Sequence, residues 1–77
     1  MTIEVDIHGM VEYDAIKYLE KTLATLNKNV TEVIVIHGFN KGNVLKEMVR
    51  NPNKLRSKKI LRRKITLNQG QTILVIG

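Results

Sequence analysis

The 77-residue chain has no cysteine, no tryptophan, one proline, two tyrosines and one phenylalanine. Without cysteine, disulfide bonds, thiolate zinc sites and cysteine nucleophiles are excluded. Apolar runs such as residues 73–76 are far shorter than the ~20 residues that a membrane-spanning helix needs. The first residues offer neither the basic start nor the apolar core of a signal peptide. We therefore expect one small cytoplasmic domain over residues 1–77, with no membrane partner.

Acidic residues are scarce in the second half of the chain, and this makes the charge uneven. Residues 1–40 hold three basic and six acidic residues, whereas residues 41–77 hold ten basic residues and one acidic residue. This basic protein could bind the phosphates of DNA or RNA through its second half, or could simply have a well-solvated face. The candidate phosphate contacts are Lys58, Arg62, Arg63 and Lys64. Because aromatic platforms for stacking bases are few, backbone recognition is favoured over sequence readout.

Hydrophobic periodicity predicts alternating strands and helices. Residues 2–7 alternate apolar and polar side chains, as in a half-buried strand, and residues 12–28 place leucines at helical spacing. A short helix should bury Val44, Leu45 and Met48, and residues 68–70 should form a three-residue hairpin turn. The predicted order is β-α-β-α-β-β, an α/β (α+β) two-layer sandwich with a four-stranded mixed sheet and two helices on one face. The predicted bounds are 2–7, 12–28, 31–36, 43–50, 58–67 and 71–76.

The sequence Ile-His-Gly ends each of the first two predicted strands, at His8 and at His37. A β-α-β crossover makes these strands parallel, so both histidines should lie at one edge of the sheet, where open α/β sheets bind ligands. With Asp6 they could act as general acid and base, phosphate ligands or metal ligands, or they could only cap their strands. If the first strand continues through His8, Asp6 and His8 would lie about 7 Å apart on one face.

A glycine-rich loop follows His37 and precedes a helix. Gly38 and Gly42 permit backbone conformations closed to other residues, and Lys41 adds a positive charge. Such a loop can aim N–H groups at a phosphate, and Phe39 could stack on a base. The P-loop and dinucleotide fingerprints are missing, so enzymes with nucleotide cofactors are poorly supported. The candidate nucleic-acid contacts of the loop are Gly38, Phe39, Asn40, Lys41 and Gly42.

Three motifs together resemble the Smr (small MutS-related) domain family. Residues 5–10, Val-Asp-Ile-His-Gly-Met, resemble the family's opening L-D-[LI]-H-G-[ML] motif. His37-Gly38-x-x-x-Gly42 resembles the H-G-K-G-T-G loop, and residues 68–72 resemble the N-x-G-x-T entry into the last strand. The resemblance covers nearly the whole chain and is typical of a small stand-alone Smr protein.

The resemblance implies both a fold and a function. The fold would be similar to the carboxy-terminal domain of translation initiation factor 3, and the function would be DNA or RNA binding, with nicking or cleavage in some members. The family's cleavage residues fall on Asp6 and His8, and its nucleic-acid loop falls on His37, Gly38 and Gly42. The chain departs from the family at Phe39 and Asn40, and at Val11, where a polar helix cap is usual.

Two functions from different classes follow from these residues. One is an endonuclease in which Asp6, His8 and His37 are catalytic, with a divalent metal such as magnesium as a candidate cofactor. The other is a non-catalytic module that binds DNA or RNA through the loop and the basic strand, or that docks a protein on its open sheet face or hairpin. Nothing in the sequence specifies the oligomeric state.

Overall fold

The computed structural model describes residues 1–38 and 42–77. Phe39, Asn40 and Lys41 lie outside the described residues, and so do the predictions made for them. The predicted order of elements is confirmed: β1 (Thr2–Asp6), α1 (Glu12–Ala24), β2 (Glu32–Ile36), α2 (Val44–Arg50), β3 (Ile60–Ile65) and β4 (Gln71–Ile76).

Local hydrogen bonds shorten two of the predicted elements. The backbone N–H of Thr25 donates to the carbonyl of Thr22 at 3.2 Å in a tight last turn, and the Asn27 carboxamide accepts the Asn29 N–H at 2.9 Å. Such local bonds compete with the helix, so α1 ends before residue 28. Similarly, the Thr66 hydroxyl accepts the N–H of Asn68 at 3.2 Å. The hairpin connection is therefore longer than the predicted three-residue turn and spans residues 66–70.

The sheet brings three strand ends to one edge. Its strand order is β1-β2-β4-β3, with β1 and β2 parallel neighbours and the other two pairs antiparallel. Asp6 pairs with Ile36, Ile36 with Gln71, and Ile65 with Thr72. The carboxyl ends of β1, β2 and β3 therefore lie together, as the crossover predicts.

The hydrophobic core lies between one face of the sheet and the two helices. Both helices contribute buried side chains to a single cluster with the sheet, which confirms that they cover the same face. The core residues of the sheet are Val5, Ile7, Val33, Val35 and Leu74, and those of the helices are Ala15, Leu19, Leu23, Met48 and Val49. No helix among the described residues is long and apolar enough to cross a membrane.

The open face of the sheet carries the alternate residues of each strand. Half-buried aliphatic side chains lie along its centre, on β2 and β4. Acidic residues lie on β1 at one side and basic residues on β3 at the other. Reading from β1 to β3, these residues are Glu4, Asp6, Ile34, Ile36, Ile73, Val75, Arg62 and Lys64.

Arg63 differs from its two basic neighbours because it points toward the helices. It pairs with the buried Leu74 and is itself half-buried. Its Nε donates to the carbonyl of Val49 and its Nη2 to that of Leu55, each at 2.7 Å. Desolvation by burial lowers the pKa of its guanidinium. Arg63 therefore attaches β3 to the end of α2 and to the turn that follows.

Replacing Arg63 by methionine should destabilise the fold by about 1–3 kcal/mol, because two carbonyl oxygens lose their charged partner. Arg62→Met is the matched control. It removes the same charge from an exposed neighbour and should change the free energy of unfolding by less than about 0.5 kcal/mol. Urea unfolding of both variants measures the difference, and equal destabilisation would contradict the anchoring role of Arg63.

Candidate functional site

The two His-Gly loops adjoin at the edge where the parallel strands end. The N–H of Ile7 donates to the carbonyl of Ile36 at 2.9 Å and extends the pairing beyond β1. The N–H groups of His37 and Gly38 both donate to the carbonyl of Gly70, each at 2.9 Å. Gly38 has φ +76°, and a Cβ placed on it would lie 3.5 Å from the Cβ of His8. His8 is therefore in close contact with the second loop.

Asp6 and His8 form a hydrogen-bonded pair inside a tight turn. The condition under which the two side chains would share one strand face is not met, because β1 ends at Asp6, one residue before the predicted bound, and the chain turns at residues 8–9. Asp6 Oδ1 accepts the backbone N–H of His8 at 3.0 Å and lies 2.5 Å from its Nδ1. Gly9, with φ +82°, permits this turn. The two side chains touch instead of standing about 7 Å apart on an extended strand.

The pair is accessible to solvent and has a defined orientation. The side chain of Asp6 is 50% exposed and that of His8 is 69% exposed. The hydrogen bond from the His8 ring, and then that from its backbone N–H, lower the pKa of the Asp6 carboxyl. A carboxylate at Nδ1 favours the tautomer with its proton there, so Nε2 keeps its lone pair. Such a pair can accept a proton at Nε2 while the carboxylate stabilises the resulting imidazolium.

His37 occupies the equivalent position in the sequence but a different environment. It is 4% exposed, and both ring nitrogens have partners within the chain. Nδ1 lies 2.9 Å from the Gly38 carbonyl oxygen, and Nε2 lies 2.9 Å from Oγ1 of Thr72. Thr72 Oγ1 also accepts a hydrogen bond from Nε of Arg50 at 2.8 Å.

These contacts fit a neutral His37. Its Nδ1–H donates to the Gly38 carbonyl, its Nε2 accepts the Thr72 hydroxyl proton, and the Thr72 oxygen accepts from Arg50. Desolvation by burial lowers the pKa of the imidazole, against the raising effect of the bond to Gly38. His37 therefore holds Gly38 at the start of the loop, whereas the His8 ring is exposed and accessible to a ligand.

Sequence reasoning assigned no role to Thr72 or Arg50, although both complete this buried network. Thr72 alternates with Leu74 and Ile76 on the core face of β4, and a single hydroxyl among aliphatic residues signals a buried hydrogen bond. Its partners come from other elements, 35 and 22 positions away in the sequence. Periodicity within one strand cannot identify such partners.

A cleft of about 550 Å³ opens beside the histidines, between the starts of the two helices. Val44 lines it and is 57% exposed, so the prediction that Val44 is buried is wrong. Its position in the first turn of α2 places it at the rim and not over the sheet. Most of the remaining lining is apolar and comes from Met10, Val11, Ile36 and Leu45.

The cations predicted to bind nucleic acid have different surroundings. Lys58 and Arg62 are exposed, whereas Nζ of Lys64 lies 2.8 Å from Oε2 of Glu32. Hydrogen bonding and charge from Lys64 lower the pKa of Glu32. Since β3 is three strand spacings from β1, Arg62 and Lys64 lie about 14 Å from the strand that carries Asp6. At the rim of the cleft, Lys54 Nζ lies 3.3 Å from Glu12 Oε2.

A dedicated metal cage is not found in the described part of the chain. Within residues 1–38 and 42–77, no group of three or more His, Cys, Asp or Glu residues could hold a metal ion. Asp6 and His8 offer one carboxylate and one imidazole. Magnesium is commonly held by one or two carboxylates together with substrate phosphates and water, so Asp6 fits a shared ion better than an all-protein site.

The buried His37 should make the fold sensitive to mild acid. The unfolded chain, with a histidine pKa near its ordinary 6.5, takes up a proton that the folded chain resists. The free energy of unfolding should therefore be highest above this value and fall as the pH is lowered toward the depressed pKa of the folded state. Urea midpoints between about pH 7 and pH 5 measure this fall. In His37→Gln the free energy of unfolding should change little over this pH range, whereas in His8→Gln it should fall as in the native chain. An equal fall in all three proteins would refute the assignment of the effect to His37.

Comparison with known proteins identifies the family. A family model described as "Smr domain" matches residues 5–71. The chain is also similar to the Smr domain of Thermus thermophilus MutS2, known from a crystal structure, with a TM-score of 0.81 and 18% identity over 96% of each chain. This structural likeness shows the fold. No curated protein matches the sequence. The family match covers most of the chain and includes both His-Gly loops, and we conclude that the chain belongs to the Smr domain family.

Proposed function

We propose that this chain binds nucleic acid and cleaves phosphodiester bonds at the Asp6–His8 pair. The observation that carries the proposal is an exposed imidazole whose Nδ1 lies 2.5 Å from a carboxylate, at the edge of the sheet where ligands of such folds bind. Membership of the Smr family supports it, because the family resemblance associates these two positions with cleavage. His37 would act as a positioning residue.

The proposed reaction is general-base catalysis by His8. Nε2 takes a proton from the attacking hydroxyl, either water or the 2′-hydroxyl of RNA, as the oxygen–phosphorus bond forms. The bond from phosphorus to the leaving oxygen breaks, and that oxygen takes a proton from water. Asp6 stabilises the imidazolium until it returns its proton to solvent. A magnesium ion shared between Asp6 and the phosphate would add charge neutralisation.

Binding would rest on exposed cations and on the second loop. Lys58 and Arg62 are the described candidates for phosphate contacts on the basic side of the sheet. Gly38 and Gly42, which flank the sequence Phe39-Asn40-Lys41, remain candidates for backbone contacts. Lys64 is a weaker candidate because it already pairs with Glu32. Arg63 is also a weaker candidate, because its guanidinium already donates hydrogen bonds to two backbone carbonyls.

A specific observation also favours a second candidate, a non-catalytic module that binds DNA or RNA. The chain contains two histidines, and the buried one has partners on both nitrogens. Only His8 is therefore free for proton transfer, and no described histidine is placed to protonate the leaving oxygen. In this case the two loops would bind nucleic acid without cleaving it.

Cleavage should depend on Asp6 and His8 and not on a neighbouring carboxylate. Purified protein should nick supercoiled plasmid or cut structured RNA, and Asp6→Asn or His8→Ala should lower the rate about 10²- to 10⁴-fold. Glu4→Gln is the matched control, since Glu4 lies on the same strand and the same face. Parallel reactions with magnesium and with a chelator test the shared ion, and the chemistry of the product ends identifies the attacking hydroxyl. Undiminished activity in His8→Ala would refute this site.

Binding should weaken steeply with salt, because bound phosphates release counterions. Removing one phosphate contact with Arg62→Ala or Lys58→Ala should reduce the slope of log affinity against log salt by about 1. Lys28→Ala, an exposed lysine in the connection after α1, is the matched control and should leave the slope unchanged. Affinity that is independent of salt would contradict binding through the basic side of the sheet.

A further inference from the structure

The cleft between the helix starts has more exposed apolar surface than the fold requires. Val11 is 64% exposed and Val44 is 57% exposed, and each stands at the beginning of a helix. Met10 and Leu45 are half-buried beneath them and pack against the core. His8 lines the same cleft. The apolar walls are therefore continuous with the Asp6–His8 pair.

Val11 occupies a position where a polar side chain would stabilise the helix. It is the N-cap of α1, and its side chain has no atom that can accept a hydrogen bond from the first turn. Serine, threonine, aspartate and asparagine are strongly preferred at such positions. An exposed valine here forgoes that stabilisation and places apolar surface in water. Binding an apolar group in the cleft would cover this surface and would account for a valine at this position.

The charges around the cleft indicate what kind of group fits. None of its described lining residues is a lysine or an arginine, and Glu12 brings a carboxylate to the rim. Glu12 is paired with Lys54, which leaves this part of the rim without an excess of positive charge. A phosphate inside the cleft would lack a counter-charge from these residues, whereas a flat, uncharged ring would meet apolar walls.

We propose that the cleft receives the base of an unpaired nucleotide whose phosphate lies at the Asp6–His8 pair. This inference rests on the proposed function and names its substrate class. The apolar walls beneath Val11 and Val44 cover the faces of the base, and the sugar-phosphate backbone stays outside at the mouth, beside His8. A base in a duplex is paired and stacked, so it can enter the cleft only after it is unstacked at a cost. Single strands, loops and bulges are therefore the preferred substrates.

Binding to matched strands tests the inference. The probes are a labelled single strand of about twelve nucleotides and the same strand in a full duplex, at one salt concentration. The native chain should bind the single strand about tenfold more tightly or better. Val11→Ser and Val44→Ser should each weaken single-strand binding about three- to tenfold and leave duplex binding unchanged. Val11→Ser also supplies a helix cap, so a loss of binding in this variant cannot result from a loss of fold.

The control variant is Leu61→Ser, which removes an equally exposed aliphatic side chain at the far end of β3 and should not affect binding. Methyl NMR gives a second readout that needs no cleavage. Adenosine monophosphate should shift the Val11 and Val44 methyl signals, and ribose 5-phosphate should not.

The outcomes separate this inference from the proposed function. Equal affinity for single strand and duplex, or unchanged binding in both valine variants, would overturn the base-binding cleft and leave nucleic-acid binding intact. Failure to bind either probe at low salt would overturn both. Methyl shifts caused equally by ribose 5-phosphate would show that the cleft responds to the phosphate and not to the base.

Discussion

The buried contact among His37, Thr72 and Arg50 holds together the edge of the sheet on which the site depends. It joins the end of β2, the start of β4 and the end of α2 through two hydrogen bonds of 2.8–2.9 Å. Buried polar groups are costly unless they are fully paired, so the three side chains specify one arrangement of these elements. Gly38 follows His37 directly, and a Cβ placed on it would lie 3.5 Å from that of His8, so this arrangement also sets the start of the second loop beside the first. The exposed Asp6–His8 pair therefore lies beside a network whose polar side chains are hydrogen-bonded to one another.

The two histidines show that a repeated sequence does not guarantee the same structural environment. Both follow an isoleucine at the end of a parallel strand, and both precede a glycine. β1 is an edge strand, so the turn after it opens to solvent, whereas β2 lies between β1 and β4 and its end is covered. Position in the sheet, which the repeat does not encode, makes His8 accessible and His37 buried. Equivalent positions in the sequence thus have different chemistry.

Much of the architecture could be predicted because it depends on local patterns. Alternation in β1, helical spacing in α1 and the crossover between two parallel strands led to the correct element order and sheet. The site was less predictable because its contacts depend on a tight turn and on partners that are distant in the sequence. The turn that brings His8 back onto Asp6 ends the alternation, whereas a strand continuing through His8 would have held the two side chains about 7 Å apart. Arg63 lies in a run of basic residues, which predicts a surface cation. In the structure, however, it donates to the carbonyl oxygens of residues 49 and 55. Helical spacing places Val44 in an apolar stripe, which predicts that it is buried. It is exposed instead, because it lies at the start of α2 and not over the sheet.

The charge distribution also restricts how a polyanion could approach the Asp6–His8 pair. On the open sheet face, β1 carries Glu4 and Asp6, while Lys64 at the opposite side is engaged by Glu32. A backbone lying flat across this face would gain attraction on β3 and meet repulsion on β1. At the edge where the parallel strands end, His8 hydrogen-bonds the Asp6 carboxylate and the apolar cleft begins, so a polyanion approaching over this edge would not cross Glu4. In the proposed complex, a single strand at this edge would turn its bases toward the helix starts, whereas a stacked duplex would present only its backbone. For the proposed binding of a polyanion, the acidic first half of the chain would therefore favour this direction of approach, and the basic second half would supply attraction at a distance.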